Sequence, residues 1–409
     1  MLTLPRLDPE YAYIGTSLYL PKKHIEEGPV RGALTFGFDE NVEPRVLVTD
    51  HPDHLEVPRE FLTLQQLAEL EITVVDLRKR ITYPRIAISP KPGFSFRKRQ
   101  VPAWPPLKKA RNGTFVMACG GGKTIMAWRK AAELRVPTLI VSPQKAHLAS
   151  WEKELRDHFI LDDPIGWISG KKMEWERSVV LSTVQGLAAK VRDGGIPAGF
   201  AQHFGLTIFD EAHHMAAKNF CRAADLSYGD RLALTATARR NDRLEGIYYS
   251  HLGGIFYEDL EQEMDPKFYV VDTGIPFDAA DEEEIKDVAG QRNVSKLRTW
   301  LGQNLARNHV IREVIDFCVK QKRKIYCLTH SVDQAELLSS MYPQSGCITG
   351  KVTNHEKRLE ILNGHDIVFA TMGVGAEAYN RKDLDVLLLL TPFAAKDYTA
   401  PAFQQSVGR

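Results

Sequence analysis

Cysteine is scarce in this sequence: the five residues Cys119, Cys221, Cys318, Cys327 and Cys347 form no CxxC pair. That spacing argues against structural zinc and against a disulfide-stapled secreted fold, and it fits a reducing cytoplasm. No apolar run approaches the ~20 residues that span a bilayer. The N-terminal stretch MLTLPRLDPEYAY lacks the basic region and long apolar core of a secretory signal. A surplus of charge is missing too, since 53 Lys and Arg stand against 52 Asp and Glu, for a net charge of +1. This excludes a permanently basic nucleic-acid coat, and any contact with a polyanion must come from local clusters.

What is present is ordinary globular material, with 44% hydrophobic and 26% charged residues in 409. Single cores stop growing near ~250–300 residues, so two or three domains are expected. From residue 114 onward, short fully apolar runs alternate with helical stretches: TFVMA (114–118), TLIVS (138–142), VVLST (179–183), LTIFD (206–210) and LALTA (232–236). Runs without polar alternation suit parallel strands covered on both faces. A second series, KIYCLT (324–329), DIVFAT (366–371) and VLLLLT (386–391), follows one long helical stretch, KLRTWLGQNLARNHVIREVIDFCVKQ. The joint is expected within 255–268, where YEDLEQEMDPKF breaks the apolar pattern, and the acids of 281–284 read as a loop or a helix start. Residues 1–90 have another character, with short strand-like runs and one helix candidate, TLQQLAEL. The expected organisation is a small N-terminal α+β domain (1–90), a first α/β domain (91–262) and a second (263–409).

Two strings carry chemistry. MACGGGKT (117–124) lies between an apolar run and a helix. Gly120, Gly121 and Gly122 allow backbone N–H groups to converge on phosphate oxygens, Lys123 can reach the β and γ phosphates, and Thr124 can ligate Mg²⁺. Met117 stands where the general phosphate-loop pattern has its first glycine. A turn that merely joined strand to helix would need neither the lysine nor the threonine. LTIFDEAHH (206–214) places Asp210 and Glu211 at the end of an apolar strand, where open α/β sheets bind ligands. Adjacent carboxylates need different tasks: Asp210 holds Mg²⁺ through water, and Glu211 orients and deprotonates the attacking water. His213 is expected to sense the nucleotide and bond to the next motif. Basic clusters at Arg97, Lys98, Arg99, at Lys108, Lys109, Arg111 and at Arg239, Arg240, Arg243 could contact phosphates or be solvated faces.

The order of these strings over residues 94–409 resembles superfamily 2 helicases of the DExH type. FRKRQ (96–100) is similar to that family's adenine-reading segment, with Gln100 as base contact. LIVSPQKAHLASWEKEL (139–155) and STVQGL (182–187) look like its backbone-touching motifs. LTATARRNDR (234–243) resembles its coupling motif, with Thr235 and Thr237 linking ATP state to strand grip. THSVDQAELL, ITGKV, ATMGVGAEAYN and QQSVGR resemble the later motifs. The resemblance implies two tandem RecA-like domains, ATP and Mg²⁺ as cofactors, Gln405 and Arg409 reaching the nucleotide, and nucleic acid held through Thr183, Thr371, Arg239 and Arg240. Ala378 and Asn380 depart from the usual glycine and aspartate. The last motif usually runs beyond the position of Arg409, so more chain is expected after it.

Among relatives, DEAH rather than DEAD, the ARRNDR continuation and RNHVI (307–311) point to DNA motors. The likeness is to phage-encoded branch-migration helicases of the UvsW type, and the N-terminal stretch looks like the front end of phage and XPB-like motors. That resemblance implies a monomer working on branched or forked DNA in replication, recombination or repair, in the host cytoplasm if phage-encoded. RNA as the track, a restriction-system motor and a non-unwinding clamp are the alternatives, although no nuclease constellation is evident. Tyr11, Tyr13 and Tyr19 with Lys22, Lys23 and His24 could stack on and grip a junction, or simply be strand core and a solvated turn.

Overall fold

The computed structural model describes residues 7–37, 44–118, 120–213, 221–237, 244–261, 267–287, 290–375 and 383–392. The chain divides into two compact units, Met1–Glu263 and Met264–Arg409. Each is built on a parallel sheet, and together they give the α/β class of two tandem RecA-like domains preceded by a small α+β element.

In the first unit an eight-stranded sheet runs in the order Lys172–Met173, Gly166–Ser169, Val179–Thr183, Thr138–Ser142, Leu206–Asp210, Asp230–Thr235, Asn112–Met117, Ile255–Asp259. All neighbouring pairs are parallel except the first, a hairpin. The central strands are buried along nearly their whole length, which explains why they read as continuous apolar runs. Ile255–Asp259 is an edge strand beside Asn112–Met117, held there partly by Arg99, whose guanidinium grips Asp259 at 2.6 and 2.5 Å. Asp259 is thus neutralised by an ion pair, while Glu258 is exposed to solvent.

The N-terminal segment makes its own five-stranded sheet, ordered Thr49–Asp50, His54–Val57, Leu18–Pro21, Ala12–Ile14, Val74–Asp76, with a small core including Leu18, Leu20, Leu55 and Leu67. It belongs to the first compact unit. Two buried arginines hold it there. Arg59 donates to the carbonyls of Ser227, Tyr228 and Gly229 at 3.2, 3.1 and 3.0 Å and to Asn112 Oδ1 at 2.7 Å. Arg231 donates to Thr16 O at 2.6 Å and Ser227 O at 2.7 Å. Burial depresses both guanidinium pKa values, so the carbonyl contacts offset desolvation of the charge.

The second unit carries a four-stranded parallel sheet ordered Gly346–Ile348, Ile367–Thr371, Ile325–Thr329, Val386–Leu389. The helical stretch before it is not one helix. It breaks at Asn304 into Val294–Gln303 and Leu305–Lys320, because Asn304 adopts φ −64°, ψ 108° and its side chain caps the second helix by accepting from the Arg307 N–H at 2.9 Å. The acids of 281–284 lie on a short helix, Ala279–Glu284, started by an Asp278 capping box.

Candidate active site

Three neighbouring parallel strands end at the site. Asn112–Met117 leads into the glycine loop, Leu206–Asp210 into the acidic motif, and Asp230–Thr235, paired with both, into the coupling motif. Strand order therefore gathers motifs that lie far apart along the chain.

The loop's geometry demands its glycines. Gly120 and Gly122 take φ of 76° and 85°, in the left-handed region. A Cβ on Gly122 would fall 2.1 Å from Gln100 Nε2, and one on Gly121 would fall 2.6 Å from Met117 Cγ. The methionine in place of the pattern's first glycine thus occupies space that a bare Gly121 leaves open. Lys123 and Thr124 open the helix Lys123–Leu134, and the Lys123 ammonium donates to Met117 O at 3.0 Å. Gln100 is buried against the same loop. Its Oε1 accepts from the Arg97 N–H at 3.0 Å, while its Nε2 lies 3.4 Å from both Gly121 O and Gly122 O.

Around the acidic motif, Asp210 Oδ2 accepts from Trp151 Nε1 at 2.9 Å and Ser142 Oγ at 3.3 Å, and Oδ1 accepts from the Glu211 N–H at 3.1 Å. Burial raises the pKa of this carboxyl most, then the neighbouring Glu211 charge, against the lowering effects of His147, the Trp151 bond and Lys123. Glu211 takes φ 47°, a conformation unusual for a side-chain-bearing residue and concentrated at functional sites. Its Oε2 is buried and accepts no hydrogen bond among the described residues, with His213 Nδ1 at 3.6 Å. A buried carboxylate oxygen with acceptor capacity to spare suits a group that must take a proton from water.

His213 Nδ1 lies 3.1 Å from Thr235 Oγ1 and 3.4 Å from Thr237 Oγ1. The Thr235 hydroxyl donates to Thr237 O at 2.9 Å and accepts from the Thr237 N–H at 3.0 Å. With its single proton committed, Thr235 must accept from His213, which assigns the proton to Nδ1. The donor set fits a Mg-nucleotide: a lysine and glycine loop, a threonine at a helix start, and two adjacent carboxylates, the half-buried Asp210 held by three donors and the buried Glu211 with a spare acceptor.

Sequence reasoning missed Trp151. It lies within a string matched to a nucleic-acid motif, and a tryptophan in a helix reads as core. The structure places other expected residues as follows. Thr183 caps the helix Val184–Arg192, accepting from the Gly186 N–H at 3.0 Å, and Thr371 ends the strand Ile367–Thr371 in the second unit. Arg111 pairs with Asp230 at 3.0 Å and Lys108 with Glu133 at 2.7 Å. Tyr19 is strand core, Lys22 pairs with Asp50 at 3.2 Å, and Lys23 and His24 both meet Glu10. Tyr11 is exposed and Tyr13 half-buried. Arg239, Arg240, Arg243, Ala378, Asn380, Gln405 and Arg409 lie outside the described residues.

The two parallel sheets and the motif-bearing strand ends define a RecA-like architecture with a phosphate-loop site. Residues 70–240 match the family described as type III restriction enzyme, res subunit. Over 182 residues the chain is 32% identical to the DNA 3'-5' helicase XPB of Kineococcus radiotolerans, a match covering 44% of this chain and 32% of that protein. Over 317 residues it is 26% identical to a protein of Acanthamoeba polyphaga mimivirus provisionally named ATP-dependent RNA helicase L396, covering 74% of this chain and 58% of the relative. The matched chain thus spans less than two thirds of either relative. Among solved structures, the Mycobacterium smegmatis helicase Lhr bound to ssDNA and AMP-PNP is similar in fold, with a TM-score of 0.52, 16% identity, and coverage of 77% of this chain and 44% of that one. No described helix is long and apolar enough to cross a membrane.

Proposed function

We propose that the chain is an ATP-driven DNA helicase or translocase that works on forked or branched DNA, in the manner of phage branch-migration motors, as a monomer. The observation that carries this reading is the continuous hydrogen-bonded path from the acidic motif to the coupling motif, through His213 to Thr235 and Thr237, beside the glycine loop. A nucleotidase without a motor has no need of that path.

Bound Mg-ATP supplies the phosphoryl group whose transfer to water drives the cycle. Gly120, Gly121, Gly122 and Lys123 hold the phosphates, Gln100 the base, and Thr124 and Asp210 the metal ion. Glu211 orients a water and takes its proton. Arg409 and Gln405 complete the charge stabilisation, as the family resemblance implies. The nucleic-acid grip through Thr183, Thr371, Arg239 and Arg240 rests on the same resemblance. The anchored N-terminal sheet supports branch selection, because Arg59 ties it to the residues that lead directly into the strand Asp230–Thr235.

The test compares ATPase rate and unwinding on forked DNA, a four-way junction, plain duplex and RNA, for the wild type and Lys123→Ala. Joint loss of both activities in the variant, with a junction preference in the wild type, supports the proposal. Hydrolysis indifferent to nucleic acid refutes it. The RNA arm addresses the relative named as an RNA helicase, and the matched restriction family motivates a check for DNA cleavage in the same reactions.

A further inference from the structure

We propose that Trp151 is a positioning residue for Asp210, and that Trp128 braces it from the phosphate-loop helix. The inference rests on the reading of this site as one for ATP and Mg²⁺.

Asp210 can serve a metal ion only if its carboxylate keeps one orientation while the like-charged Glu211 stands next to it. Three donors fix it. The Glu211 N–H takes Oδ1 at 3.1 Å, and Trp151 Nε1 and Ser142 Oγ take Oδ2 at 2.9 and 3.3 Å. They are not equivalent. The serine hydroxyl rotates and can turn its proton elsewhere, and its contact is the longest. The indole N–H is a donor only and points where the ring points. The Trp151 ring is itself fixed. It is 1% exposed and packs edge-on against Trp128 with ring centroids 5.3 Å apart, and the Trp128 indole N–H donates to Trp151 O at 3.1 Å. Trp128 lies on the helix Lys123–Leu134, which begins with Lys123 and Thr124. A chain of two tryptophans thus connects the helix that grips phosphate to the carboxylate that holds the metal. Outer partners that orient a metal-holding carboxylate typically change metal affinity by roughly 10- to 100-fold when removed.

The experiment uses the full chain with AMP-PNP. Mn²⁺ binding is followed by electron paramagnetic resonance, and the Mg²⁺ dependence of ATP hydrolysis is measured in parallel. Trp151→Phe keeps the aromatic packing and removes the N–H. The expected result is a rise of about tenfold in both the Mn²⁺ dissociation constant and the Mg²⁺ half-saturation, with turnover largely recovered at high Mg²⁺. Trp128→Phe should shift both in the same direction by less. Asp210→Asn separates the two levels of the argument. If it abolishes Mn²⁺ binding while Trp151→Phe binds Mn²⁺ like the wild type, the positioning role is wrong and the site reading stands. If Asp210→Asn leaves Mn²⁺ binding intact, the site reading itself fails. Lower thermal stability of Trp151→Phe at unchanged Mn²⁺ affinity also overturns the proposal, since it marks a purely structural tryptophan. Should Trp151→Phe not fold, the folded Trp128→Phe protein decides by the same measurements.

Discussion

His213 Nδ1 and Thr235 Oγ1 stand 3.1 Å apart, although 22 positions separate them in the chain. Their strands, Leu206–Asp210 and Asp230–Thr235, are parallel neighbours, so the hydrogen bond closes a short circuit between the acidic and coupling motifs. Thr235→Val should break that circuit. The Thr237 N–H loses its acceptor and His213 loses the nearer of its two hydroxyl partners, and a buried unsatisfied donor costs about 1–3 kcal/mol. The expected outcome is retained ATP hydrolysis with strand displacement reduced roughly tenfold or more per ATP consumed, and rescue by Thr235→Ser; equal loss of both activities would argue against a coupling role.

Glu211→Gln tests the division of labour between the paired carboxylates. The amide keeps the shape and loses the base, so nucleotide and DNA binding should persist while single-turnover hydrolysis falls by about 10²–10⁴-fold. Weakened nucleotide binding instead would mean that Glu211 holds the metal ion and the roles of the pair are reversed.

Arg59→Met tests the anchor of the N-terminal sheet. The substitution leaves the carbonyls of Ser227, Tyr228 and Gly229 and the Asn112 side chain without this donor in a buried place. The expected loss is about 3 kcal/mol of stability of the first unit in urea denaturation, from several unsatisfied acceptors partly relieved by relaxation. A loss below the error of the measurement would show that the contacts contribute nothing net.

His330 gives the second unit a pH dependence. Its backbone N–H donates to Thr391 Oγ1 at 2.9 Å, and its Nδ1 lies 2.7 Å from the same oxygen. Burial, and secondarily Arg298, lower the imidazole pKa from 6.5 to about 4. Between these values the unfolded chain binds a proton that the folded chain does not, so stability rises with pH across the window. The contribution is fully present above 6.5 and is lost as the pH falls toward 4. His330→Asn should flatten this part of the stability profile, measured by urea denaturation at several pH values.

The strands were legible from the amino-acid sequence because burial on both faces leaves an apolar run with sharp polar ends. TLIVS, VVLST and LTIFD coincide with Thr138–Ser142, Val179–Thr183 and Leu206–Asp210. The loop Gly120–Gly122 with Lys123 and the pair Asp210, Glu211 were legible for a related reason, since phosphate and metal chemistry concentrate at strand ends and leave short local strings. The break at Asn304 was obscured by strong helical pattern on both sides, and asparagine inside a helix and asparagine at a cap look alike until the backbone is seen. The edge strand Ile255–Asp259 was hidden because two of its five residues are acids, Glu258 exposed and Asp259 neutralised by Arg99.

The sequence by itself determined the α/β class, the succession of strands and the chemistry-bearing strings, since each depends on residues close together along the chain. Tertiary structure alone decided that Trp151 would hold Asp210 and that Arg59 and Arg231 would fasten the N-terminal sheet, and it singled out Thr235 as the nearer partner for the bond expected of His213. These contacts follow from the order in which strands lie side by side, and that order is set by the packing of the whole sheet, which no local pattern encodes.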